Sequence, residues 1–193
     1  RLKLKWAFGY EGATTARPQP ALAGGKLFAA SDNALLHALD PKTGCAFWAF
    51  KAESGVRSGI TVGPYRSGGQ TRYAVFFGDQ RANAYAIDAI TGQQVWKRKA
   101  DDYPAAAITG SLTIQDGKVF VPIQGLNEEG SGGRGNTPCC QFRGNLTALA
   151  DSRKRSEFGA SAYGERPSSP RFAGARSEEN LRPPGGRRAR PHY

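Results

Sequence analysis

One nine-residue stretch determines the fold prediction: Asp88-Ala89-Ile90-Thr91-Gly92-Gln93-Gln94-Val95-Trp96. The same frame, Asp-x-x-Thr-Gly-x-x-x-Trp, occurs earlier at residues 40–48, and both copies follow an apolar pair, Ala38-Leu39 or Ala86-Ile87. Each position has a physical reason, because Asp accepts hydrogen bonds from the amides of a tight turn and Gly adopts a positive φ. The next strand then runs out to a Trp that packs between sheets. The frame therefore predicts two strands joined by a turn.

The spacing of the tryptophans predicts that this unit is repeated. Trp48 and Trp96 lie 48 residues apart, and Trp6 lies 42 residues before Trp48. A period in the forties with strand patterning is typical of β-propeller blades. Short apolar segments between Gly, Asp and Asn turns indicate antiparallel strands, with no competing helical period. We therefore predict an all-β fold, a partial β-propeller of about three four-stranded antiparallel blades, over residues 1–149.

Individual strands and turns follow from the same signals. The turns Gly24-Gly25 and Gln115-Asp116-Gly117 are expected to open hairpins. Residues 64–70 are expected to form a polar loop, and residues 125–137 an insertion in the third unit. The expected strands include Leu2–Trp6, Lys26–Ala30, Ala34–Leu39, Ile60–Val62, Lys118–Pro122 and Gly144–Leu149.

The pattern breaks after Leu149, where a third Asp-x-x-Thr-Gly frame is due. Residues 151–193 contain no Val, Ile or Trp and are dominated by Arg, Pro, Gly, Ser and Glu. Such a composition buries too little apolar surface to order itself. We therefore predict a basic, low-complexity tail over residues 150–193. The alternatives are a disordered interaction tail and a segment translated in a shifted frame, which the break in mid-motif favours.

The charge distribution argues against nucleic acid as a partner. The net charge is +11, but the tail contributes +5 of it, with ten Lys or Arg against five acids. A nucleic-acid surface needs clustered basic residues, and before the tail the only basic run is Lys97-Arg98-Lys99. No stretch has the length of a membrane span. The chain contains no Met and begins within an expected strand, which suggests a fragment or a processed product.

The stretch Pro138-Cys139-Cys140-Gln141-Phe142-Arg143-Gly144 carries the candidate chemistry. Adjacent cysteines can close a small strained disulfide ring, whose flat edge suits stacking on a planar ligand. Arg143 would offer a guanidinium fork to a carboxylate. The alternative is a pair of reduced, buried thiols beside a surface Arg, and the residues alone leave both open.

These motifs resemble a known family. The Trp-centred repeat is similar to the blades of pyrroloquinoline quinone (PQQ) dehydrogenase propellers. Cys139-Cys140 followed by Arg143-Gly144 resembles the vicinal disulfide segment of PQQ-dependent alcohol dehydrogenases. The form Cys-Cys-x-Phe-Arg-Gly, after an insertion with Glu128-Glu129, is most similar to the polyvinyl-alcohol dehydrogenase branch. The resemblance covers residues 1–149.

The resemblance implies a fragment of a PQQ-dependent alcohol dehydrogenase that oxidises an alcohol, with polyvinyl alcohol a candidate, and passes electrons to a cytochrome c. PQQ and Ca²⁺ would be its cofactors, with Ca²⁺ a Lewis acid on the quinone and an Asp the base. Cys139-Cys140 would stack on PQQ and Arg143 would pair with a PQQ carboxylate. Glu129 is a further candidate for this site, in competition with Glu128 and with simple surface solvation.

Other expectations limit this function. No residue matches the catalytic Asp or the Ca²⁺ ligands, so we expect this chain alone to be inactive and prone to associate through open blade edges. A vicinal disulfide fits a periplasmic or secreted protein. The alternative function is a non-catalytic propeller scaffold that binds proteins. We expect turn roles for Asp40, Asp79 and Asp88, an isolated His37, and Cys45 as a small buried residue.

Overall fold

The computed structural model of the chain describes residues 1–126 and 142–150, and within them it contains twelve β-strands. The first four are β1 (Ala21–Ala23), β2 (Lys26–Ala30), β3 (Leu35–Leu39) and β4 (Ala46–Lys51). The next four are β5 (Thr61–Ser67), β6 (Gln70–Gly78), β7 (Asn83–Asp88) and β8 (Gln94–Lys99). The last four are β9 (Ala106–Ala107), β10 (Thr113–Gln115), β11 (Lys118–Gly125) and β12 (Asn145–Ala150).

The strands form three antiparallel sheets, each of which is a propeller blade. The first blade has the order β1-β2-β3-β4 and the second the order β5-β6-β7-β8. The third has the order β10-β11-β12, and the short β9 pairs with the far end of β11. The predicted all-β, partial-propeller fold is confirmed.

The repeated sequence frame forms the predicted turn in both complete copies. The amide of Asp40 donates to Cys45 O at 2.8 Å, and the amide of Asp88 donates to Gln93 O at 2.8 Å. Gly44 and Gly92, with φ of +78° and +74°, donate back to the carbonyls of the same two aspartates. A left-handed φ at these positions favours glycine. The turns of the first two blades therefore have the same hydrogen bonds and the same glycine conformation, 48 residues apart.

Trp6 and Trp48 each lie against the frame glycine of the blade that follows them in the chain. A Cβ on Gly44 would be 2.9 Å from Trp6 Cδ2, and a Cβ on Gly92 would be 2.8 Å from Trp48 Cδ2. The Trp6 indole also donates to Pro41 O at 3.0 Å. Glycine is thus required at this position of the frame for two reasons, its positive φ and the close approach of an indole ring.

The hydrophobic core lies between neighbouring blades. One cluster joins the first two blades and includes Phe28 and Leu36 of the first with Phe77 and Ile87 of the second, all at most 1% exposed. The other cluster joins the second and third blades. Alternate residues of a strand point to opposite faces, so β6 contributes Val75 and Phe77 to one cluster and Ala74 and Phe76 to the other.

Two sequence expectations about strands are wrong. Residues 2–6 form no strand, because no described strand lies alongside them to complete a ladder. Residues 64–70 are not a loop, because β5 continues to Ser67 and turns into β6 through Gly68 and Gly69, both at positive φ. Pro64 is tolerated inside β5 because β5 is an edge strand of its sheet. In the described part of the chain no helix is long and apolar enough to cross a membrane.

Candidate functional site

The connection between the second and third strands of each blade distinguishes the third blade from the other two. In the first blade it is the four-residue turn 31–34, closed by the Ala34 amide donating to Ser31 O at 3.3 Å. In the second it is the turn 79–82, closed by the Ala82 amide donating to Asp79 O at 3.2 Å. In the third blade residues 126–144 occupy this place. Long connections on a rigid scaffold commonly carry function, and this one contains the predicted site residues.

The entrance of the 126–144 connection is fixed to the linker that precedes the third blade. Gly125 pairs with Ala106, and the Leu126 amide donates to Ala105 O at 2.8 Å. The second blade has the equivalent bond, from the Gln80 amide to Gly55 O at 3.0 Å. The connection therefore leaves the sheet in the same way as the short turns do.

The exit of the connection is fixed by an aromatic contact to the same linker. The Phe142 side chain is buried, and its ring lies 5.1 Å from the Tyr103 ring, centroid to centroid, at an interplanar angle of 37°. A Cβ on Gly125 would be 2.7 Å from Phe142 Cδ1, so the ring rests directly on the Gly125 backbone. The contact joins both ends of the connection to residues 101–106.

A polar contact beside it holds the next strand. Asn145 donates through Nδ2 to Asp101 Oδ2 at 2.9 Å, and the Tyr103 amide donates to Asp101 Oδ1 at 2.8 Å. Arg143 lies between the two attachment points, Phe142 and Asn145. Its side chain is exposed and makes no hydrogen bond or ion pair to any of the residues that the structure describes. A guanidinium held in this way suits an anionic ligand such as a carboxylate.

The remaining predicted site residues lie outside the described residues. These are Cys139, Cys140 and Glu129, together with Glu128, so their roles stay predictions. Over residues 1–126 and 142–150 there is no group of three His, Cys, Asp or Glu side chains placed to hold a metal ion.

The aspartates predicted to have turn roles do have them. The carboxylate of Asp40 accepts hydrogen bonds from the Lys42 amide at 2.8 Å and the Thr43 hydroxyl at 2.9 Å. These bonds, the Lys42 amide first, hold the pKa of Asp40 below its usual value. Asp79 is fully buried and accepts from the amides of Arg81 and Asn83, both at 2.9 Å.

Asp88 combines the turn role with contacts to the inner strands of its blade. Its Oδ1 accepts from the Ile90 and Thr91 amides, while its Oδ2 accepts from the Tyr65 hydroxyl at 2.8 Å. Arg72 pairs with the same Oδ2 at 2.8 Å. Burial alone would raise the pKa of Asp88, but the hydrogen bonds from Thr91, Tyr65 and Ile90 outweigh it and hold the pKa below its usual value.

The hydrogen-bond network around Tyr85 was not predicted from the sequence. The Tyr85 hydroxyl donates to Asp79 Oδ2 at 2.8 Å and accepts from the Glu53 amide at 3.0 Å. These bonds tie the first linker, residues 52–60 between β4 and β5, to the second blade. Asn83 Nδ2 also donates to Asp79 Oδ2 at 2.9 Å, and Lys97 pairs with the Glu53 carboxylate. Burial, with the nearby carboxylates, raises the pKa of Tyr85, so the hydroxyl stays protonated at neutral pH.

His37 and Cys45 have no place in a catalytic arrangement of the described residues. His37 is buried in β3, where its ring contacts Phe8 at 4.9 Å and Tyr10 at 5.9 Å between centroids, and burial lowers its pKa. Cys45 is exposed, so its predicted burial is wrong. It lies in the turn before β4, an outer edge strand, and not within the strand itself.

An apolar groove of about 370 Å³ lies on the first blade, and its lining residues all come from the first 39 residues of the chain. Residues 6–20 form one wall of it, with Trp6, Phe8 and Tyr10, and β2 forms another. Ala29 lines the groove at the position where the second blade carries Phe77. The groove therefore follows from a smaller residue in the blade face.

Comparison with known proteins places the chain in a propeller family. Residues 3–150 match the profile of a family of PQQ-type repeats described as outer membrane protein assembly factor BamB. The chain belongs to this family. Among solved structures it resembles the quinohemoprotein alcohol dehydrogenase from Comamonas testosteroni, with a TM-score of 0.59 and 20% sequence identity over 77% of this chain and 21% of that one. A likeness at this identity confirms the propeller fold.

The curated relatives of higher sequence identity are polyvinylalcohol dehydrogenases. The chain is 42% identical over 149 residues to a polyvinylalcohol dehydrogenase of Pseudomonas sp, and 41% identical over 152 residues to one of Sphingopyxis sp. (strain 113P3). Each match covers 77% of this chain but only 23% and 22% of the relatives. The chain therefore spans less than a quarter of their length. The resemblance to quinoprotein alcohol dehydrogenases predicted from the sequence is confirmed.

Proposed function

We propose that the chain forms the part of a PQQ-dependent alcohol dehydrogenase that binds one edge of the cofactor. The observation that supports this most is the exposed guanidinium of Arg143. It follows Cys139-Cys140 in the one long connection of its kind among the described blades, and residues attached to a rigid linker flank it. Rigid attachment of a ligand-binding side chain lowers the ordering cost of binding.

The roles follow from the residue types. Bound PQQ supplies a two-electron acceptor for the oxidation of an alcohol. Arg143 pairs with a cofactor carboxylate through its planar fork. Cys139-Cys140, joined in a disulfide, presents a flat edge to the cofactor ring, and Glu129 lies in the same connection. Calcium ligands and a catalytic base are not assigned to this chain.

Substrate, acceptor and location complete the proposal. The identities of 42% and 41% to polyvinylalcohol dehydrogenases support polyvinyl alcohol as the substrate of the whole enzyme. A cytochrome c is proposed as the electron acceptor, by the family resemblance. The periplasm or the exterior of the cell is proposed as the compartment, since a vicinal disulfide persists in an oxidising environment.

Binding of PQQ to the 193-residue chain tests this function. The chain is titrated with PQQ and Ca²⁺ while the cofactor absorbance and fluorescence are followed. We compare wild type with Arg143→Ala, with the double variant Cys139→Ser and Cys140→Ser, and with Arg98→Ala as a control at another exposed arginine. Loss of a charge-assisted hydrogen bond is worth roughly 1.5–3 kcal/mol, so Arg143→Ala should weaken binding at least about tenfold. No saturable binding, or equal effects of Arg143→Ala and Arg98→Ala, would contradict the proposal.

A protein-binding scaffold is the second candidate function, because the matching family is described as an outer membrane assembly factor. A scaffold has no need of a planar-ligand platform. In that case wild type and the cysteine double variant would both fail to bind PQQ, and both would capture the same protein partner from periplasmic extract. PQQ binding that depends on Arg143 and the two cysteines favours the enzyme.

A further inference from the structure

We propose that Phe142 is a positioning residue, which acts on the cofactor through Arg143. Its ring, fixed on Tyr103 and on the backbone of Gly125, sets the direction in which the Arg143 guanidinium leaves the chain. This inference rests on the proposed function. It deepens it, because it assigns a role to a buried side chain beside the residue proposed to bind PQQ.

The first step of the argument is the burial of Phe142. The side chain is 8% exposed and belongs to the core cluster between the second and third blades, whereas its neighbour Arg143 is exposed. The chain thus passes from core to solvent within one residue. The backbone at Arg143 is therefore tied to the core cluster through the residue before it.

The second step is the close packing of the Phe142 ring against the Gly125 backbone and Tyr103, a set of contacts called here the seat of Phe142. A Cβ on Gly125 would lie 2.7 Å from Cδ1, 2.9 Å from Cγ and 3.0 Å from Cβ of Phe142. Only a residue without a side chain permits this contact. Tyr103 covers the ring at 5.1 Å, an attractive separation for two aromatic rings. The seat therefore involves the linker, the end of β11 and the residue before Arg143.

The third step is the presence of two attachments, one on each side of Arg143. Phe142 contacts Tyr103, and Asn145 bonds Asp101, which also caps the turn at Tyr103. Both attachments end on residues 101–103. With two fixed ends three residues apart, the backbone at Arg143 has little freedom left to lose on binding a ligand. Removing the Phe142 ring frees one end.

A double-mutant cycle on PQQ affinity tests this inference. The variants of the full chain are Phe142→Leu, Arg143→Ala and both together. Phe142→Tyr is the conservative rescue, and Phe76→Leu is a control in the same core cluster, where Phe76 contacts Trp96. Phe142→Leu should weaken PQQ binding roughly 5- to 30-fold, the ratio that corresponds to ordering one backbone residue. Phe142→Tyr and Phe76→Leu should stay near wild type.

The decisive comparison is made in the Arg143→Ala background. If Phe142 acts through Arg143, adding Phe142→Leu to Arg143→Ala changes the affinity no further, because the group to be positioned is gone. Additive losses would overturn the inference and leave the proposed function standing. Failure of the wild type to bind PQQ would overturn both.

A second readout needs no cofactor. Trypsin cleaves after Arg143, and the rate of cleavage there reports how firmly the chain is held. Gly125→Ala retains the Phe142 ring but displaces it from its seat, so both Gly125→Ala and Phe142→Leu should speed cleavage after Arg143 relative to cleavage after Arg98. Unchanged relative rates in both variants would show that the ring does not hold Arg143, and would overturn the inference.

Discussion

The indole of Trp48 lies so close to Gly92 that a Cβ at position 92 would stand 2.8 Å from ring atom Cδ2. Trp48 belongs to the outer strand of the first blade and Gly92 to the turn of the second. Trp48 and Gly92 belong to successive copies of the frame, so the glycine and the tryptophan of one copy contact different partners: Gly44 contacts Trp6, whereas Trp48 contacts Gly92. The glycine receives the preceding indole, and the tryptophan extends toward the following blade.

Substitution of Gly92 by Ala should destabilise the chain more than the same change at Gly117. Both glycines have positive φ, +74° and +70°, but nothing lies within 4 Å of a Cβ on Gly117. Gly117→Ala should cost about 1–2 kcal/mol for the left-handed backbone alone. Gly92→Ala should add about 1–3 kcal/mol for displacement of the indole. Urea unfolding followed by tryptophan fluorescence measures both. Equal losses would mean that the indole moves away at no cost.

Replacement of Tyr85 by Phe should weaken the junction between the first linker and the second blade. The change removes the donor to Asp79, which lies in a buried setting, and the acceptor of the Glu53 amide, which lies in a partly buried one. The expected loss is about 1–3 kcal/mol of unfolding free energy. Tyr73→Phe, at a side chain that is 59% exposed, is the control and should be neutral. Hydrogen exchange at the Glu53 amide should also quicken, and an unchanged rate would contradict the assigned bond.

Replacement of Asp88 by Asn should produce a loss of stability that depends on pH. Because the folded-state pKa of Asp88 is lowered, its contribution is present above the unfolded pKa of about 3.9 and disappears as the pH falls through the folded value. We expect a deficit of about 1.5–3 kcal/mol at pH 7 that shrinks below pH ~4. Thermal unfolding of wild type, Asp88→Asn and the exposed control Asp102→Asn between pH 2.5 and 7 measures it. A deficit independent of pH would show that packing, not charge, is responsible.

The outer edge of β12 should be the place where copies of the chain associate. Within residues 1–126 and 142–150, β12 pairs only with β11, and its sequence Asn145–Ala150 contains no charged residue. The edge strand β8, by contrast, carries Lys97, Arg98 and Lys99. Basic side chains discourage pairing at sheet edges. Sedimentation should therefore show concentration-dependent association that Ala148→Lys reduces.

Gln70→Lys provides the control for this experiment, since it adds the same charge at an exposed hairpin end. It should leave association unchanged. A wild-type chain that stays monomeric at all concentrations, or equal effects of the two lysines, would show that β12 is not the associating edge.

The parts of the fold that local chemistry dictates could be predicted from the sequence. The Asp-x-x-Thr-Gly turn, the Gly24-Gly25 turn and the Asp116-Gly117 turn all form, because each depends on the φ of a glycine or on an aspartate that caps its own backbone. β5 was underestimated because a proline and two glycines normally interrupt a strand. Only its position at the sheet edge makes Pro64 acceptable, and that position is a property of the topology.

In the candidate site, too, features that depend on neighbouring residues could be predicted, whereas contacts between distant residues could not. Arg143 could be singled out because it follows a Cys-Cys pair closely in the chain. The seat of Phe142 could not, since Phe142 and Tyr103 are 39 residues apart in the sequence and meet only when the linker packs against the third blade. The bond between Tyr85 and Glu53 spans 32 residues and was missed for the same reason. In retrospect, Gly125 directly before the long connection was the one local signal of a close contact.

The contacts of Trp6 with Gly44 and of Trp48 with Gly92 also bear on how such chains gain blades. The segment from residue 49 to residue 96 contains the glycine that receives Trp48 and ends with Trp96. A tandem duplication of this segment would place a second copy of Gly92 after Trp96 and would thereby repeat the indole–glycine contact at the new junction. A gene of this kind could gain a blade in one event and keep the contact that joins neighbouring blades. What is inherited intact is the junction between sheets, and the sheet itself is free to diverge.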